Sequence, residues 1–109
     1  KRVSLVETAP TWINTPPVAV ERHALMVIHG WVNVPMPITG SVDGLMIIDS
    51  LGGEPLAQRI GQTDGWQEFT LYRVAPQSGQ LSVTFALTGF GEAQIDDVTV
   101  ESIDPSIPR

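Results

Sequence analysis

The chain has 109 residues, 42% hydrophobic and 17% charged, which suits one folded two-layer domain and excludes two domains or a wholly disordered chain. Six Lys and Arg against twelve Asp and Glu give a formal charge of −6 and a pI of ≈ 4.6, opposing attraction to nucleic acid or anionic lipid. With no cysteine, disulfides and thiolate zinc sites are excluded.

In chain order, Arg2 to Glu7 is a short extended segment without the apolar core of a signal peptide. Pro10, Pro16 and Pro17 then fix φ and remove N–H donors, which predicts irregular surface chain with Trp12 capping the core. Val18 to Val20 is expected as an edge strand and Glu21-Arg22-His23 as a solvated turn. Ala24 to Val34 predicts a strand, with Met26, Ile28, Val32 and Val34 on one side and Leu25, Val27, His29 and Trp31 on the other. Apolar residues on both sides imply a central strand covered twice. Helix is the competing reading of so apolar a run, but its β-branched content, Gly30 and the stop at Pro35-Met36-Pro37 oppose it. The same stretch is too short to span a bilayer and is interrupted by His29, Gly30 and Asn33.

Pro35 to Asp43 reads as a loop. Leu45 to Ser50 and Leu56 to Ile60 read as a hairpin closed by Leu51-Gly52-Gly53-Glu54-Pro55. Trp66 to Ala75 is the next strand, with Phe69 and Leu71 on one face and Glu68, Thr70 and Tyr72 on the other. After a turn at Pro76 to Gly79, Gln80 to Thr88 alternates cleanly, sending Leu81, Val83, Phe85 and Leu87 inward. Gly89-Phe90-Gly91 reads as a hairpin turn into a closing strand that reaches Val100. Strict alternation there, with Val98 and Val100 inward, also turns Asp96 inward, where a carboxylate needs backbone N–H groups or a metal ion. Asp97, Thr99 and Glu101 then face water.

About seven short strands with regular turn signals and no helical period indicate an all-β chain, an antiparallel two-sheet β-sandwich, over residues 1–102. Residues 103–109, with Pro105 and Pro108, read as a C-terminal tail or linker.

Catalytic signatures are missing. No serine has a Gly-x-Ser-x-Gly context, Asp96 and Asp97 are expected on opposite faces, and Gly89-Phe90-Gly91 lacks the third glycine and helix of a phosphate cradle. His23 and His29, six apart, have no evident third metal ligand. Trp66, opening a strand after a glycine, reads as core packing. Trp31 and Tyr72 share faces with His29, Glu68 and Thr70, and a sugar needs such a mixture: aromatic rings for its C–H faces and polar groups for its hydroxyls. For Trp31, core and ligand contact both stay open.

The order Gly30-Trp31-Val32-Asn33-Val34, Asp43-Gly44-Leu45, Gly65-Trp66-Gln67-Glu68-Phe69, Leu81-Ser82-Val83-Thr84-Phe85 and Gly91-Glu92-Ala93-Gln94-Ile95-Asp96-Asp97-Val98 resembles the jelly-roll carbohydrate-binding modules of the galactose-binding-domain-like superfamily. The resemblance implies a non-catalytic accessory domain of a larger extracellular, periplasmic or cell-surface protein. Its partners would be a polysaccharide or glycan and other domains of the same polypeptide. It also implies a structural calcium with Asp96 as a metal ligand, although Lys1 to Thr8 lack the Asn-Gly-Phe-Glu type opening that supplies other ligands in such modules. The alternative is a structural or protein-interaction sandwich without sugar binding. Exposure of Trp31 and Tyr72 on one face discriminates between the two.

Overall fold

The structure, a computed structural model, describes residues 3–7 and 11–103. Its strands in order are β1 (Val3–Glu7), β2 (Thr11–Asn14), β3 (Val18–Val20), β4 (Leu25–Asn33), β5 (Leu45–Asp49), β6 (Gln58–Ile60), β7 (Trp66–Val74), β8 (Gly79–Leu81), β9 (Val83–Leu87) and β10 (Gly91–Ile103). Among the described residues the helical element is a single 3-10 turn, Glu54–Leu56. The strands pair antiparallel into two four-stranded sheets, β1-β10-β4-β7 and β2-β9-β5-β6, with a separate β3-β8 ladder. The chain is an all-β, antiparallel sandwich.

Alternation produces the core. Met26, Ile28 and Val32 of β4, Phe69 of β7, and Ala93 and Ile95 of β10 face Leu45 and Ile47 of β5, Ile60 of β6, and Val83, Phe85 and Leu87 of β9. Burying each large apolar side chain contributes roughly 1.5–3 kcal/mol. Phe69 and Phe85, one from each sheet, meet edge to face with centroids 5.9 Å apart. Gly30 makes room for this pair, because a Cβ there would lie 2.8 Å from Phe69 Cε2 and Cζ.

Among the described residues the inter-sheet space holds a buried charge. Asp49 is fully buried, and its Oδ1 accepts from Arg73 Nε at 3.0 Å while Oδ2 accepts from the Gly52 N–H at 2.7 Å. Arg73 also donates to the carbonyls of Tyr72 and Leu56, at 2.8 and 3.0 Å. Both carboxylate oxygens are therefore satisfied, which a buried charge requires. The sequence reading assigned the inward carboxylate to Asp96.

That assignment fails at a β-bulge. Between the Asp96↔Trp31 and Thr99↔His29 pairs, Asp97 and Val98 together oppose Gly30. Asp97 has φ 53°, in the left-handed region that Asp tolerates better than most residues. The extra residue resets the alternation: Ile95 and Val98 both pack toward the core, and Asp96 stands on the outer face beside Trp31.

Other expectations need smaller corrections. β4 is central, but its second face is not covered, since Leu25, Val27 and His29 are half-buried and Trp31 is exposed. Trp12 does not cap the core: it lies in β2, paired with Ala86, and is 64% exposed. The run from Gln80 to Thr88 is two strands, because the chain leaves the β3 ladder at Leu81 and joins β5 at Val83. Gly89 to Gly91 is no hairpin turn, since β9 and β10 belong to different sheets. It is a sheet-to-sheet crossing in which Phe90 exchanges two backbone hydrogen bonds with Thr39. Ile103 still belongs to β10, and the rest of the expected tail, 104–109, lies outside the described residues.

Candidate functional site

The outer face of β10-β4-β7 carries chemistry that the core does not explain. Read across the three strands, its rungs are Gln94, Asn33 and Trp66; Asp96, Trp31 and Glu68; Thr99, His29 and Thr70; Glu101, Val27 and Tyr72; and Ile103, Leu25 and Val74. Paired residues point to the same side of a sheet, so the expected set of Trp31, Tyr72, His29 and Glu68 shares this face. Trp31 is 36% and Tyr72 62% exposed. They sit on alternate rungs, about 14 Å apart along the strands at ~3.4 Å per residue.

Between these rings the polar groups are organised. His29 Nε2 and Glu68 Oε2 are hydrogen-bonded, joining neighbouring rungs diagonally. The His29 imidazole also meets Trp31 edge to face at 6.3 Å, which fixes the indole against the sheet. At the loop end, Asn33 Nδ2 donates to Gln94 Oε1 at 3.1 Å. Asn33 Oδ1 is buried without a hydrogen-bond partner among the described residues.

Two concavities lie at this end. An open cavity of about 580 Å³ is lined by Asn33, Pro35, Gln62, Thr63, Asp64 and Gly65. Thr63 braces it, its hydroxyl accepting from the Val34 N–H at 2.8 Å and donating to the Gly65 carbonyl at 2.6 Å. A smaller cleft of about 210 Å³ is lined by Trp31, Trp66, Asp96 and Asp97.

Trp66 and Asp97 were missed in sequence. Trp66 is half-buried on the outer face rather than packed in the core. Asp97 lines the same cleft as Asp96, not the opposite face. The adjacent carboxylates were themselves the available signal, because perfect alternation would bury one of them, a cost that an inserted bulge residue removes.

For the implied calcium, the cleft supplies Asp96 and Asp97, and Asp96 Oδ1 already accepts from the Asp97 N–H at 2.9 Å. Calcium takes 6–8 oxygens, and among the described residues no group of three or more His, Asp or Glu side chains comes together. Among the described residues Asp96 and Asp97 are thus the carboxylates available to a calcium ion at this point. His23 sits in the turn before β4 with φ 69°, so the regular strand that would align it with His29 does not reach it.

No protein-family model and no curated protein matches the chain.

Proposed function

We propose that this chain is a non-catalytic, carbohydrate-binding-module-like domain of jelly-roll kind that binds glycan on the outer face of β10-β4-β7. In this reading it is an accessory to a larger extracellular protein or glycoside hydrolase and holds that protein near polysaccharide. The observation that carries the proposal is the exposure of Trp31 and Tyr72 on one sheet face, with Glu68 beside Trp31 and His29 and Thr70 on the rung between the two rings. Aromatic rings spaced along a flat sheet offer stacking surfaces for successive sugar rings, and the carboxylate, imidazole and hydroxyl between them offer hydrogen bonds to the sugar hydroxyls. Affinity electrophoresis through gels containing different neutral polysaccharides tests it. Retardation by at least one polysaccharide, reduced in Trp31→Ala and Tyr72→Ala, is the expected result; unretarded migration in every gel rejects the proposal.

A second reading has its own support at the far end of this face. Ile103 and Val74 flank Leu25, and both are exposed, at 41% and 60%. That apolar rung suits a structural or protein-interaction sandwich packing against another domain of the same polypeptide. The two readings separate on Val74→Ser, which weakens docking to a neighbouring domain and leaves polysaccharide retardation unchanged.

A further inference from the structure

We propose that the cavity between the β3-β8 ladder and the turn after β5 holds one uncharged, polyhydroxylated ring. This cavity of about 300 Å³ includes Pro76, just past the Val74 end of β7, whereas the Asn33 cavity includes Gly65, just before the Trp66 end. The two therefore lie at opposite ends of the sandwich. The floor is aliphatic, formed by Val20, which is 5% exposed, and half-buried Leu51, with Pro76 beside them. The rim is polar: it presents the hydroxyls of Ser50 and Ser78 and the carboxamides of Gln77 and Gln80.

Separately pinned segments hold these groups in place. The β3-β8 ladder pairs Val20 with Gly79. The Ser50 N–H donates to the Ser82 carbonyl at 2.9 Å, and the Ser82 N–H returns to Ser50 Oγ at 3.1 Å. The Arg22 N–H donates to Ser78 Oγ, also at 3.1 Å. Each serine oxygen is thus fixed by accepting a main-chain N–H, which leaves its O–H to donate. Groups already held in position lose less freedom when a ligand arrives.

Charge decides the ligand class. The chain has six basic and twelve acidic residues, yet among the described residues that line this cavity none is charged. An ionised ligand would give up water and meet no opposite charge, and a wholly apolar one would strip water from two hydroxyls and two carboxamides. A saturated ring with C–H faces and hydroxyl edges satisfies both surfaces, its faces on Val20, Leu51 and Pro76 and its hydroxyls at the rim. The volume stands at the lower end of the roughly 300–1,000 Å³ of small-molecule sites, which suits one ring rather than a chain of them.

The inference goes beyond the glycan reading and does not depend on it. Amide NMR spectra of the isotope-labelled full chain, titrated with glucose, galactose, mannose and myo-inositol, test it, with glucuronate as the charged control and cyclohexanol as the apolar one. At least one of the four neutral rings is expected to give saturable shifts at Leu51, Gln77, Ser78 and Gly79, and the two controls much smaller ones. Shifts at Trp31 and Tyr72 are read separately, because they report the outer face. A Cβ at Gly79 meets nothing within 4 Å, so Gly79→Leu should melt like the parent chain while its side chain fills the cavity and abolishes the shifts. Gln77→Ala should weaken binding about threefold to tenfold, the scale of one net hydrogen bond. Titration with maltotriose and cellotriose identifies the source of the ring. Binding of a trisaccharide assigns it to the end of a glycan chain, and binding of the single rings alone assigns it to a free polyol; each supports the site. No saturable shift at these four amides with any neutral ring, equal shifts with either control, or parental binding in both folded variants overturns it. Trp31→Ala separates this outcome from the glycan reading: it should reduce polysaccharide retardation and leave these shifts intact.

Discussion

Arg73 reaches across the sandwich from β7 to place its Nε 3.0 Å from Oδ1 of the fully buried Asp49 at the end of β5. One pair thus links the two sheets, and Arg73 Nη2 also holds the 3-10 turn through the Leu56 carbonyl. Removing one partner leaves the other charge buried, so Arg73→Met is expected to cost about 3–5 kcal/mol. Urea denaturation reads this as a lower midpoint with an unchanged slope. Arg73→Lys should recover little, because an ammonium cannot reproduce the fork that serves Asp49 and Leu56 together. Full recovery by Lys would show that charge alone matters at this position.

Gly30 faces Phe69 across the β4-β7 ladder, where a Cβ would meet the ring at 2.8 Å and Val98 Cγ2 at 3.2 Å. Gly30→Ala therefore overpacks the core and is expected to cost roughly 1–3 kcal/mol. Combining it with Phe69→Leu should cost less than the two separate losses added together, because the smaller side chain vacates the space. Strict additivity in thermal melts would place the Gly30 effect elsewhere.

The bulge makes its own demand at position 97. Asp97→Val puts a β-branched residue at φ 53° and should cost about 1–3 kcal/mol, whereas Asp97→Gly should be neutral or stabilising. Equal stabilities for the two variants would mean that the bulge relaxes without penalty.

The two exposed tryptophans should behave differently in binding. Trp31 lies on the proposed glycan face, while Trp12 is exposed on β2 of the other sheet. Trp31→Ala is expected to weaken polysaccharide binding by about 2 kcal/mol, the scale of an aromatic hot spot, and Trp12→Ala to leave it unchanged. A matching loss in both variants would point to nonspecific adhesion of exposed indoles.

Asp96 is the ligand that the resemblance implies for calcium, and thermal melts with and without chelator test it: identical curves remove the ion from the reading. A bound ion would instead be linked to folding, and its removal would lower the melt.

Much of this architecture was legible from alternation alone. Leu81, Val83, Phe85 and Leu87 were readable as core, and Phe69 and Tyr72 as opposite faces of one strand, because a side-chain period of two needs only local information. Trp31 with His29, and Tyr72 with Glu68, were placed on shared strand faces for the same reason, while the β4-β7 register is what turns both faces the same way. What stayed hidden depended on distant partners or on a single inserted residue. Asp49 looks like an ordinary turn carboxylate until Arg73, 24 residues later, arrives from the other sheet. The change of partner around Ser82 and the crossing at Phe90 are choices between neighbours that local alternation does not encode. At Asp97, one backbone torsion reversed the facing expected for Asp96.

β7 ends its sheet, so among the described residues its outer margin has no strand beside it over the nine positions from Trp66 to Val74. An extended segment from another polypeptide could be stitched on there through main-chain bonds alone. Such an addition would widen the platform sideways without lying across the aromatic stripe. Recruitment of a protein along this border and occupancy of the neighbouring surface by a small ligand are thus geometrically compatible.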